Sequence, residues 1–298
     1  MKMQFAKIFT RLISVAILVY SYASTAATIS LAESKNGNFL DGVLIEGVVE
    51  KGDSLKFAAL ALSGPGVRAV YLASPGGDLA ESMKIGRLVR ALYLEAWAPF
   101  ATESSLLKLG DKKNNTCASS CFYIYVAGVK RIGSVLGVHR PYLPPEKYRE
   151  VALPEAASAH ANARKVVEKY FQEMGVPSSY VDKVMAVPSE KVEWLSERQV
   201  RADLEGFPAE IAEWMSANCK KLTPEDERRM NQILASIPKN RMHLPVSEAP
   251  SKAADREFVS TYHRRMRGES VCYEKAFEAE RERVRPGLVK KFIAKESE

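Results

Sequence analysis

Past its first thirty residues the sequence has no apolar run long enough to cross a bilayer. It has no G-x-x-x-x-G-K-S/T loop, which excludes an ATPase activity of its own. It has no internal repeat and no low-complexity tract, so solenoid and fibrous architectures are excluded. Charge of one sign never accumulates in a block. Part of the net charge of +7 belongs to the first 26 residues; basic residues of the C-terminal third, for example Arg264, Arg265, Arg267, Arg281, Arg283 and Arg285, are interleaved with Glu278, Glu280 and Glu282. Such alternation is a solvated helix face rather than a nucleic-acid stripe, and no base-reading motif accompanies it, so no nucleic-acid partner is expected. What is present is ordinary globular material: 46% hydrophobic and 27% charged residues over 298 positions, enough for a large core.

Residues 1–26 stand apart. Lys2, Lys7 and Arg11 precede an apolar run from Leu12 to Tyr20, and the small residues Ala23, Ser24, Thr25, Ala26 and Ala27 follow. That order is a secretory signal peptide with cleavage after Ala26, the run being short for a membrane span. The alternative is an uncleaved N-terminal anchor. Export implies a periplasmic or secreted protein whose mature form does not span a membrane. It also changes how the scarce cysteines are read. Cys117, Cys121, Cys219 and Cys272 are an even number in an oxidising compartment, and three pairings are possible. Proximity in sequence favours Cys117–Cys121 and Cys219–Cys272, and an i,i+4 pair can meet the Cα spacing a disulfide needs.

Hydrophobic patterning predicts strands over 42–49, 67–72 and 94–100, with helices over 54–62 and 78–92 between them. This strand–helix alternation predicts an α/β domain with parallel pairing. Residues 101–116 read as an exposed loop, 117–128 as an apolar helix and 132–138 as a strand that Pro141, Pro144 and Pro145 stop. Helices are expected over 146–175, 178–186 and 197–204, with an extended piece at Trp194-Leu195. The predicted organisation is a hydrolase-like domain over 38–207 and a charged helical region over 208–298.

Three segments carry chemistry: SPGG at 74–77, CASSCFYIYVAG at 117–128 and GVHRP at 137–141. Their order resembles the proteolytic subunit of Clp protease and its exported relatives in the Clp/crotonase superfamily. In that family a strand ends in SPGG, a serine opens a helix closing on an Ala-Gly pair, and a later strand delivers a histidine followed by proline. The resemblance covers roughly residues 40–206. It implies a ββα spiral with the C-terminal helices as an appendage, a peptide or protein substrate and a possible homo-oligomer. An unfoldase partner is not expected where ATP is absent, and no cofactor is implied.

Carried residue by residue, the resemblance makes Ser119 the nucleophile, because its spacing to Gly128 matches the family and that of Ser120 does not. His139 becomes the base and Asp182, on a later helix, the group that orients it. The amides of Gly76, Gly77 and Ser120 become donors to an oxyanion and to an extended peptide backbone. Without the resemblance, SPGG is a turn, Ser119 a helix cap, His139 a structural histidine and Asp182 a surface residue. Cys117 and Cys121 bracket Ser119 as in the exported relatives; a zinc site built from both with His139, or a Cys121 nucleophile, are the competing readings, and no metal is expected. The leading function is an exported serine peptidase working through an acyl-enzyme. The alternatives are a peptide-binding module without turnover and a crotonase-type thioester enzyme.

Overall fold

A computed structural model describes residues 26–63, 66–101, 107–142, 149–219 and 222–292. The expected signal peptide lies outside the described residues up to its last position, Ala26, and so do Pro144 and Pro145. The chain adopts the α/β class with a long C-terminal helix. Its order is β1 (Thr28–Glu33), β2 (Phe39–Val49), α1 (Asp53–Leu62), β3 (Ala69–Gly77), α2 (Leu79–Ala91), β4 (Glu95–Trp97), β5 (Cys117–Ala118) and α3 (Ser120–Tyr125). Then come β6 (Arg131–Ile132), β7 (Leu136–Val138), α4 (Leu153–Glu173), α5 (Ser179–Ala186), β8 (Glu193–Trp194) and α6 (Glu197–Asp203). The C-terminal region contributes α7 (Ala209–Asn218), α8 (Pro224–Ala235) and α9 (Ala253–Phe292).

The sheet is parallel at its centre and antiparallel at its two ends, where β1 joins β2 and β8 joins β7. β2 is buried from Gly42 to Gly47 without alternation, as a strand covered on both faces must be. The sheet branches along β3. Its first residues, Ala69 to Tyr71, pair with β4, whereas Ser74 pairs with Cys117 of β5. β4 continues to β6, and β5 continues to β7.

Two expected elements are each split. The expected helix over 117–128 begins with the strand β5, and α3 starts only after Ser119. The expected strand over 132–138 is two short strands, of which β6 pairs with β4 and β7 with β5. Gly133 separates them at φ 109°, with its Cα so near the Ala98 carbonyl that a Cβ would lie 2.0 Å from its oxygen. Any side chain there would have to displace the Ala98 backbone and would hold a strained φ. SPGG does not end its strand, because β3 runs on through Gly77 after a register shift in β2 between Glu46 and Val48. β1 had no counterpart among the predicted strands.

All six residues of α3 are buried, so the helix forms the centre of the core rather than an amphipathic face. Phe122 stacks on Tyr180 of α5 at 6.3 Å between centroids and meets Phe171 of α4 edge-on at 6.0 Å. Burial of a ring of this size contributes roughly 1.5–3 kcal/mol. The C-terminal helices join the same core at two places. Val284, Leu288 and Phe292 near the end of α9 pack against it, and the Cys219–Cys272 disulfide ties the end of α7 to the middle of α9.

Candidate active site

Strand register brings the three sequence motifs together. Ser74 pairs with Cys117, Cys117 pairs with Leu136, and Ala118 pairs with Gly137. SPGG therefore forms the carboxyl end of one strand, and Ser119 and His139 follow those of its two parallel neighbours, the edge where open α/β sheets place their ligands.

Ser119 sits between β5 and α3 at φ 56°, ψ −123°. This is the geometry of the first central position of a type II′ turn, where glycine is the usual residue. Holding a serine there costs on the order of 1–3 kcal/mol and needs over-determined surroundings. These are visible. The Ser119 amide donates to the Gly137 carbonyl at 2.9 Å, and the flanking Cys117 and Cys121 are fully buried and disulfide-bonded, with Cα atoms 5.3 Å apart. Gly76, at φ 108°, packs so closely that a Cβ on it would lie 2.6 Å from the Ser119 Cβ and 2.9 Å from the Ser120 nitrogen. With both sulfurs in the disulfide, neither cysteine is a thiolate for zinc or for attack on a substrate. Among the described residues no group of three or more His, Cys, Asp or Glu is placed to hold a metal ion.

The two adjacent serines are separated by geometry. Ser120 is buried, and its Oγ accepts a hydrogen bond from Ser82 Oγ at 2.9 Å between α2 and α3. Its amide opens α3, pointing out of the helix start, where the backbone dipole favours negative charge. The Gly76 amide, one of the expected oxyanion donors, is engaged by Ser74 Oγ at 3.0 Å.

A cavity of about 290 Å³ opens beside Ser119 and is lined by Gly77, Asp78, Tyr123, His139 and Tyr142 among others. His139 Nδ1 lies 2.8 Å from the Arg140 carbonyl oxygen. A carbonyl only accepts, so Nδ1 carries the proton in this contact and Nε2 keeps its lone pair. Asp182 is not among the lining residues. Its carboxylate pairs with the Arg164 guanidinium, and its side chain is 75% exposed. Ser119 and His139 are thus brought to one cavity and Asp182 is not.

Several lining groups escaped sequence reasoning. Asp78 caps α2 by accepting from the Glu81 amide at 2.9 Å, and an Asp directly before a helical run is a readable cap signal. Tyr123 lies one turn beyond Ser119, a spacing that was available. Its buried hydroxyl finds no hydrogen-bond partner among the described residues, and burial holds its pKa well above the ordinary phenol value. The Arg140 carbonyl has no sequence signal at all.

Fold and cleft define an α/β protein with a serine and a histidine at one sheet edge. No protein-family model matches the chain, and a comparison with curated proteins found no significant match. Among solved structures, a mutant of ClpP1 from Listeria monocytogenes is similar at 17% identity and a TM-score of 0.36, covering 53% of this chain and 84% of that one. A mutant of the membrane-bound stomatin-specific protease 1510-N is similar at 13% identity and a TM-score of 0.34, covering 56% of this chain and 76% of that one. Among the described residues no helix is long and apolar enough to cross a membrane.

Proposed function

We propose that the protein is an exported serine hydrolase that cleaves extended, flexible peptides in the cleft beside Ser119. The observation that carries this reading is the strained backbone of Ser119, held at a strand–helix turn on the wall of a cavity shared with His139. In this mechanism Nε2 of His139 takes the Ser119 hydroxyl proton as Oγ attacks the scissile carbonyl carbon. The Ser120 amide at the start of α3 receives the oxyanion that forms. Collapse of the tetrahedral species breaks the C–N bond, and the leaving amine takes the proton back from Nε2. Water then enters by the reverse route and frees Ser119 from the acyl group. The two disulfides support an oxidising compartment, in keeping with the signal peptide expected at residues 1–26.

Asp182 is given no step, since Arg164 holds its carboxylate. The Arg140 carbonyl fixes the tautomer of His139 but brings no full charge to stabilise an imidazolium. In serine proteases the triad aspartate supplies both functions, and here only the first is met. This observation favours the second reading, a peptide-binding module of the same fold with little or no turnover. Fluorophosphonate labelling of the mature protein separates the two. Stoichiometric labelling at Ser119 supports the hydrolase, and a folded protein that does not react favours the binding module.

A further inference from the structure

A second cavity, of about 120 Å³, lies between the strands β3 and β4 and the middle of α9. It shares no lining residue with the cleft beside Ser119. Its walls are aromatic: Tyr71 and Trp97 pair at 5.9 Å on the sheet side, and Tyr93 and Phe277 pair at 5.8 Å on the helix side. Tyr93 stands just past α2 at φ 50°, a left-handed position that helices usually give to glycine. The strained residue is the one that presents both a ring and a carbonyl to this cavity.

Arg281 of α9 lines the cavity and is only 4% exposed. One of its NH groups donates to the Tyr93 carbonyl at 3.0 Å, while its buried Nε finds no partner among the described residues. Arg68 lines the same cavity, and burial followed by the nearness of Arg68 lowers the Arg281 pKa. Among the described residues none of the carboxylates lining the cavity pairs with Arg281, and two of them flank Arg68, the second guanidinium of the site, beyond hydrogen-bond distance. Asp41 and Glu274 lie 3.7 and 3.9 Å from Arg68, and Glu95 accepts from Trp97 Nε1 at 3.0 Å and faces Lys130 at 3.8 Å. On its own helix, Arg281 is offset by Glu278 and Glu282, of which Glu282 also pairs with Arg285. A buried guanidinium with an unused N–H, facing a second guanidinium across an aromatic-walled space, lacks an anionic acceptor.

We propose that this cavity binds a small monocarboxylate, with its carboxylate between Arg281 and Arg68 and its apolar body against Tyr71, Trp97 and Phe277. The volume lies well below the roughly 300–1,000 Å³ of sites for drug-sized ligands, which limits the occupant to a few heavy atoms. The carboxylates of Asp41, Glu95 and Glu274, which also line the cavity, disfavour a multiply charged phosphate.

Thermal shift and calorimetry on the mature protein at fixed ionic strength test the proposal, using propionate and benzoate, each against its neutral amide, and inorganic phosphate. One or both carboxylates should bind saturably and raise the melting temperature, and their amides and phosphate should not. Arg281→Met should weaken that binding at least tenfold, and Arg68→Gln, at a half-exposed position, gives the same comparison should Arg281→Met fail to fold. Absence of saturable binding by either carboxylate overturns the proposal. Unchanged binding in the variants overturns it too, and phosphate binding as tight as benzoate overturns the monocarboxylate assignment.

Discussion

Ser82 Oγ donates to Ser120 Oγ at 2.9 Å inside the contact of α2 with α3, so the hydroxyl of Ser120 is committed to the interior while its neighbour Ser119 stands at the cleft. Both residues line the cleft, but the Ser120 hydroxyl is engaged by Ser82 whereas Ser119 is the one held on a strained backbone.

Ser119→Ala is expected to abolish fluorophosphonate labelling with little loss of stability. Ser120→Ala should keep the labelling but lower stability by about 1–3 kcal/mol, because Ser82 Oγ is left buried without its acceptor. Labelling that survives Ser119→Ala, located by peptide mapping, would move the nucleophile elsewhere.

His139→Ala should lower turnover of a fluorogenic peptide, or the labelling rate, by several orders of magnitude. His160→Ala, on the exposed face of α4, should change neither. Asp182→Asn should stay within a few-fold of the parent, since its partner is Arg164. A loss near 10⁴-fold from Asp182→Asn would restore a carboxylate to the reaction.

The two disulfides are expected to separate function from stability. Cys117–Cys121 spans 4 positions and Cys219–Cys272 spans 53. Chain-entropy arguments give the short loop about 2 kcal/mol and the long one about 4 kcal/mol. Cys117→Ser with Cys121→Ser should therefore depress labelling at Ser119 more than the melting temperature, and Cys219→Ser with Cys272→Ser should do the reverse. Equal effects on labelling would mean that the short bridge does not hold the Ser119 turn.

Glu81 links α2 to the start of α1, accepting from the Ser54 amide at 3.0 Å and from Lys84 Nζ at 2.6 Å. Burial pushes its pKa up, but hydrogen bonds from Lys84 and Ser54 with the Lys84 charge outweigh this and hold it at about 2, below its ordinary 4.5. A lowered folded-state pKa contributes stability that is complete above the unfolded value and is lost as pH falls toward about 2. Glu81→Gln should be less stable at neutral pH and show a flatter loss between about pH 5 and pH 2 in urea titrations. A parallel pH dependence in the two proteins would remove Glu81 from the acid response.

The sequence by itself determined the α/β class, since β-branched runs alternating with amphipathic spacing leave few other ways to bury those faces. Proximity along the sequence favoured Cys117–Cys121 and Cys219–Cys272 among three possible pairings, and the structure forms both. Ser119 and His139 were singled out by the resemblance of their motifs to a known family, a resemblance that local segments in one dimension can carry. Only the tertiary structure decided what depends on non-local register. The pairing of Ser74 with Cys117 and of Cys117 with Leu136 brings three distant segments to one edge, and no local pattern encodes that alignment. The split of the strand over 132–138 likewise depends on room beside Ala98. The partner of Asp182 could not be read from its helical setting, since Arg164 and His139 both lie on other elements and only packing selects between them. The second cavity is the clearest case: Arg281 and Arg68 belong to unremarkable charged stretches, and they face one space only because α9 folds back across the sheet.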